Sequence, residues 1–104
     1  MEYKVVLAPR AIDDLRAIVV HISVDRPGAA VRLANALVER TKTLGVFPTL
    51  GRMVPEFGLP ELRELVLPPF RIVYGIDADS HTVGVARFWH GSRGHLNQSD
   101  LGQG

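Results

Sequence analysis

Between Gly51 and Arg93, three short apolar stretches each carry an arginine, and the last stretch ends on a histidine. They are Gly51-Arg52-Met53-Val54-Pro55-Glu56, Leu62-Arg63-Glu64-Leu65 and Phe70-Arg71-Ile72-Val73-Tyr74, closing at His90-Gly91-Ser92-Arg93. A guanidinium fork matches phosphate or carboxylate oxygens two at a time. Histidine is the side chain suited to moving protons near neutral pH. Cleaving RNA without a metal needs a base for the 2′-hydroxyl, cations for the phosphorane charge and an acid for the leaving oxygen. Arg71, Arg63 and Arg52 could form the cationic clamp, His90 could be the acid or base, and Glu56 and Glu64 are further bases. The alternative is structural: each arginine pairs with Glu56, Glu61, Glu64 or a partner's carboxylate. Arg71 is the least easily dismissed, because a charge in mid-strand needs a reason.

Charge weighs against a polyanion. The whole chain carries a formal +1, and residues 51–104 hold five Arg but six Asp or Glu. The two lysines, Lys4 and Lys42, lie in the first half. Nucleic-acid affinity rests largely on phosphate neutralisation, so this half is a poor platform for it. Arg52 and Arg93 are its remaining candidate nucleic-acid contacts. There is no cysteine, which removes disulfides, thiolate chemistry and Cys-type zinc sites. His90, His95 and Asp100 match no metal-ligand spacing. No metal or cofactor is expected.

Placing these groups requires one small domain, since 104 residues with 46% apolar content can bury a single modest core. The N-terminus does not read as a signal peptide, and no apolar run approaches a membrane span. A cytoplasmic protein without membrane association is expected.

Tyr3, Val5 and Leu7 alternate with polar or outward residues, predicting a strand. Pro9 suits the first turn of a helix, in which Ile12, Leu15, Val19 and Ile22 form the inner stripe and Asp13 and Asp14 complement the dipole. That helix should end near Asp25-Arg26, because Pro27 disfavours helical geometry before it. Pro27 opens a second helix with Ala30, Leu33, Ala34, Leu37, Thr41 and Leu44 inward and Gly45 as the stop. Residues 46–60 read as an ordered loop against the body. Strands follow at Glu61–Leu67, Phe70–Ile76 and Thr82–His90, joined by turns at Pro68-Pro69 and Asp77–His81. The prediction is an α+β fold: an N-terminal strand, an antiparallel helical hairpin and a three-stranded antiparallel meander. The helices pack on one face of a small, mostly antiparallel sheet. The domain spans 1–93, and the polar tail 94–104 is expected to fray.

In the last strand, Val83 and Val85 share one face while Phe88 and His90 share the other. Either both faces are partly buried or a bulge near Ala86-Arg87 shifts the register. Ile72 and Tyr74 should face the helices, sending Arg71 to the uncovered side. Of Trp89 and His90, one should be exposed.

The element order, Pro9, Asp25-Arg26-Pro27 and the motifs quoted above resemble the RelE/ParE superfamily of toxins from type II toxin–antitoxin systems, over about Tyr3 to Arg93. The resemblance implies a small α+β toxin neutralised by a cognate antitoxin in a hetero-oligomer. ParE-like members poison DNA gyrase; RelE-like members cut messenger RNA on the ribosome. The Gly-Arg-x-Val-Pro-Glu loop and the His-Gly-Ser-Arg end look more like the ParE side. On the RelE side, Arg71 and His90 would fall at the family's catalytic positions, with Arg63 assisting. A third possibility is an inactive relative that only binds antitoxin. Val54, Phe57, Leu59, Leu65 and Leu67 are expected to line an apolar antitoxin groove, and an exposed Trp89 would be a contact anchor.

Overall fold

The computed structural model describes residues 2–102. The chain runs β1 (Lys4–Leu7), α1 (Pro9–Ser23), α2 (Pro27–Lys42), β2 (Arg52–Met53), β3 (Leu62–Leu67), β4 (Phe70–Asp77) and β5 (Thr82–His90). Three short 3-10 turns lie at Thr43–Gly45, Gly91–Arg93 and Gln98–Leu101. The five strands form one sheet ordered β1-β5-β4-β3-β2. β1 runs parallel to β5, and the other pairings are antiparallel. The predicted α+β architecture, with its meander, is therefore what forms. The loop at 46–60 contributes a fifth strand, β2, that two residues are too few to announce in a sequence. Among the described residues, no helix is long and apolar enough to cross a membrane.

Both helices begin on proline, at Pro9 and Pro27, where the missing N–H costs no intrahelical bond. α1 ends at Ser23, a little before the predicted stop. Its inner face is rotated from the one predicted. Ala11 is fully buried, and Leu15 and Ile18 pack on the core, whereas Ile12 and Val20 face outward. Both stripes fit a helical period, because residues 15–22 are apolar on nearly every side. α2 buries Ala30, Leu37 and Thr41 as predicted.

The main core joins these helix faces to Leu65, Phe70, Ile72, Tyr74, Val83, Val85 and Phe88. Ile72 and Tyr74 thus face the helices, as expected. The register of β4 on β5 resolves the ambiguity in the last strand. Val73 stands opposite Arg87 and Tyr74 opposite Val85, which leaves Ala86 as an extra residue. This bulge puts Val83, Val85, Phe88 and His90 on the helix side, and Arg87 and Trp89 on the other.

That other side is not uncovered. Val54, Val73, Trp89 and Leu96 form a second small core, with Phe57, Leu62 and Leu101 packed around it. The tail predicted to fray supplies two of these residues. Leu96 is buried, and the turn Gln98–Leu101 starts with a reciprocal capping box between Asn97 and Asp100. Arg10 Nη1 donates to Ser99 O (2.6 Å) and Arg87 Nη1 to Asp100 O (2.7 Å), tying the segment to α1 and β5. The composition of residues 94–102 is polar, but one leucine in a pocket and four or so hydrogen bonds suffice to order them.

Candidate functional site

Arg71 leaves mid-strand β4 on the face away from the helices and meets two carboxylates. Nη1 and Nη2 donate to the two oxygens of Glu56 (2.8 and 2.7 Å), and Nε donates to Glu64 Oε1 (2.5 Å). Glu64, on the neighbouring strand, has a side chain with no solvent exposure, and its other oxygen accepts from Arg52 Nε at 2.7 Å. Glu56 is set in the loop after β2 and also accepts the Leu96 amide (2.9 Å). The chain of partners is thus Arg52–Glu64–Arg71–Glu56, two cations and two anions.

The hydrogen bonds from Arg71, reinforced by the Leu96 amide, hold the Glu56 carboxyl down at about 2 against the opposing pull of burial. The same contacts raise the Arg71 guanidinium further above its ordinary value. A carboxyl depressed on folding stabilises the native state above its unfolded value, and that gain disappears as pH falls through the folded value. We therefore expect native stability to decline between pH 4.5 and pH 2 by about 3 kcal/mol from Glu56. Denaturant titrations across this range, wild type against Glu56→Gln, check it; equal slopes in the two proteins would refute the assignment.

Four of the sequence-derived site residues, Arg52, Glu56, Glu64 and Arg71, therefore converge, whereas His90 and Arg63 lie elsewhere. Arg71 faces the second core, but His90 stands opposite Phe70 on the helix face. Arg63 stands opposite Tyr74, also on the helix side, four positions along β4 from Phe70. That is roughly 13 Å of strand at about 3.3 Å per residue. Arg63 donates to Gly51 O (2.9 Å) and Pro60 O (2.8 Å), so it braces the loops around β2. Arg52 keeps a largely exposed side chain but is paired to Glu64. Arg93 lies over the Trp89 ring at 4.2 Å. A three-arginine phosphate clamp with His90 beside it is absent among the described residues, because strand alternation sends Arg63 and His90 to the face opposite Arg71.

His90 is half-buried at the end of β5. Its ring packs edge-on against Phe70, with centroids 5.2 Å apart. Nδ1 accepts from the Ser92 amide (3.1 Å) and lies 2.7 Å from Ser92 Oγ. An acceptor cannot carry the proton, so the neutral ring holds it on Nε2.

The partner residues expected to form one groove are also divided. Val54 is fully buried and Leu65 is 6% exposed, the former in the second core and the latter in the main one. Phe57 packs with Val54, Leu67 with the helix-side core, and Leu59 alone is well exposed. Trp89 is 3% exposed, and its Nε1 donates to Gly94 O at 3.0 Å. It is core, and His90 is the more accessible of the two. Within 46–60, Val54 and Phe57 are taken up by the second core, while Val46, Phe47, Leu50, Met53 and Leu59 stay exposed.

Two groups were missed. Arg87 is 5% exposed and forms a two-pronged pair with Asp14, Nε to Oδ2 at 2.7 Å and Nη2 to Oδ1 at 2.8 Å. Asp14 Oδ2 also accepts the Phe88 amide (3.0 Å). The hydrogen bonds to Asp14 raise the Arg87 guanidinium above its ordinary value, against the opposing effect of burial. Asp14 is therefore a tether between α1 and β5 and lies beyond the first turn, where it was expected to complement the dipole. The only available signal was an arginine within an apolar strand.

The chain matches the family model described as ParE toxin of type II toxin–antitoxin system, parDE, over residues 5–94. No curated protein matches it significantly. Among solved structures, it resembles a chain of the chromosomal ParDE TA system from P. aeruginosa. The TM-score is 0.72 at 24% identity, covering 86% of this chain and 96% of that one. A chain of the toxin–antitoxin complex RelBE2 from Mycobacterium tuberculosis gives 0.66 at 23% identity, covering 86% and 99%. A doubly arginine-substituted mutant of the E. coli toxin RelE in the free state gives 0.65 at 15% identity, covering 90% and 88%. At these identities the likenesses show a shared fold.

Proposed function

Because the chain belongs to the ParE toxin family of type II toxin–antitoxin systems, we propose that it arrests bacterial growth by engaging a protein target, DNA gyrase. A co-expressed antitoxin holds it inactive in a cytoplasmic hetero-oligomer. One observation carries the preference for a protein target over RNA. Each of the three Arg71 guanidinium nitrogens donates to a carboxylate, and His90 lies on the opposite side of the sheet. A clamp already neutralised by Glu56 and Glu64 offers little to a phosphorane, whose stabilisation needs preorganised, unsatisfied donors. The near-neutral charge of residues 51–104 points the same way. A protein-targeting toxin needs surface, not a catalytic centre.

The test is induction of the chain alone and together with its neighbouring antitoxin, with two readouts. Gyrase supercoiling should fail, with accumulation of cleaved DNA, while messenger RNA in translating extract stays intact. His90→Ala should remain toxic. Codon-specific transcript cleavage that disappears in His90→Ala would establish the ribosome-directed nuclease instead. Normal growth at confirmed folded expression would leave an inactive antitoxin-binding relative.

A further inference from the structure

The outward side of α1 is apolar, although no other element covers it among the described residues. Ile12, Val20 and Val24 are exposed, Val20 at 69% and Val24 at 81%. With Arg16 they recur every four residues, a spacing that builds one continuous ridge along a helix. Beside the ridge lies a shallow depression of about 400 Å³, lined by Ile12, Leu15, Arg16, Val19 and Val20. Valine is a weak helix former, so Val24 at the C-cap gives the monomer neither helix propensity nor burial.

Charges stand at both ends of the ridge. Asp13 and Arg16 flank its start, and Asp25 and Arg26 follow its end, near His21. Asp25 and Arg26 enter no ion pair among the described residues. Asp13 and Arg16 make only a loose contact at 3.7 Å, with both side chains in solvent. Each end thus offers one acid and one base, both available, with valines between. Such a surface is complementary to itself when reversed end for end, which is what a two-fold axis does.

We propose that a second copy of this chain covers the ridge, forming a homodimer in which the two α1 helices pack antiparallel about a two-fold axis near Val20. Val20 then meets its own equivalent, and Val24 of each copy reaches the depression beside Arg16 of the other. At each end, Asp13 and Arg16 of one copy join Asp25 and Arg26 of the other in a neutral quartet. A parallel copy would instead set Arg16 against Arg16 and Asp25 against Asp25, which like-charge repulsion disfavours. One helix pair buries less than the roughly 800 Å² per partner of a standard interface, so the dimer dissociates on the order of 10 μM.

The test is sedimentation equilibrium of the purified chain over roughly 1–200 μM, where a monomer–dimer equilibrium is expected. Val20→Glu sets like charges across the axis and should raise the dimer Kd on the order of tenfold or more. Arg16→Glu should do the same, because each quartet then holds three acids and one base. Adding Asp25→Arg to Arg16→Glu rebalances the quartet and should return the Kd to within about threefold of wild type. Arg40→Glu, exposed on α2, is the control and should leave it within about twofold. Val20, Arg16 and Asp25 are all solvent-exposed, and circular dichroism confirms that the variants are folded. A wild-type chain that stays monomeric throughout overturns the proposal, and so does a dimer that Val20→Glu leaves intact. Failure of Asp25→Arg to rescue Arg16→Glu overturns the antiparallel pairing and leaves the ridge to a different partner. The readout is mass and not toxicity, so none of these outcomes depends on the proposed function.

Discussion

Replacing Arg71 by alanine is expected to lower folding stability by about 3–5 kcal/mol, because it strips the main cation from two carboxylates withdrawn from water. Glu64 has no solvent exposure and would retain only Arg52, whose side chain is largely in solvent. Glu56 would lose both prongs of its bidentate partner. Arg71→Met should suffer similarly, since it keeps packing but not charge. Arg71→Met combined with Glu64→Gln should recover part of the loss, because the orphaned anion is then removed as well. Urea unfolding of the three variants measures this. A loss below about 1 kcal/mol for Arg71→Ala would mean that the guanidinium is solvated and free for ligands. The consequence for function is direct. Loss of toxicity in Arg71→Ala cannot by itself separate chemistry from folding, whereas His90, which packs on Phe70 and bonds only its neighbour Ser92, can be changed at small structural cost.

The second large effect lies at Asp14. Asp14→Ala should cost about 3–5 kcal/mol, since Arg87 would remain as a buried cation without a counter-charge, held by the Asp100 carbonyl and the face of the Trp89 ring. The Phe88 amide would lose its acceptor in the same stroke. For a domain of about 100 residues, such a loss lowers the thermal midpoint by more than about 10 °C. Asp14→Asn should fall between, as it can still accept the amide but cannot balance the charge. Thermal unfolding of both variants decides it, and a drop of less than about 3 °C in Asp14→Ala would refute the tether. The pair also fixes how α1 sits on β5.

Much of the fold was legible along the chain. Pro9 and Pro27 mark helix starts because they tolerate one position in a helix better than any other. The α2 stripe repeats cleanly with one polar face, so its buried side was read correctly; α1 is apolar nearly all round, so its side was not. The ambiguity in β5 was visible because Val83, Val85, Phe88 and His90 break the two-residue alternation, but the bulge at Ala86 could be chosen only against the pairing of β4. The candidate site fared worse. Arg71 and His90 were each recognised as unusual, yet their separation depends on that same bulge and on strand alternation.

What the sequence determined by itself is what neighbours in the chain encode: helix and strand periods, their punctuation, their order, and through that order a resemblance to toxins of this superfamily. The arginine-bearing strands ending at His90 belong to this level. What only the tertiary structure decided is which charges meet. Asp14 finds Arg87 across 73 positions, and Arg71 finds Glu56 across 15, each fixed to within a hydrogen-bond length by sheet register and helix docking. Whether an arginine is a free phosphate ligand or a neutralised brace depends on those meetings. Electrostatic pairing reaches only a few ångströms inside a protein, so it is set by packing and not by spacing along the chain.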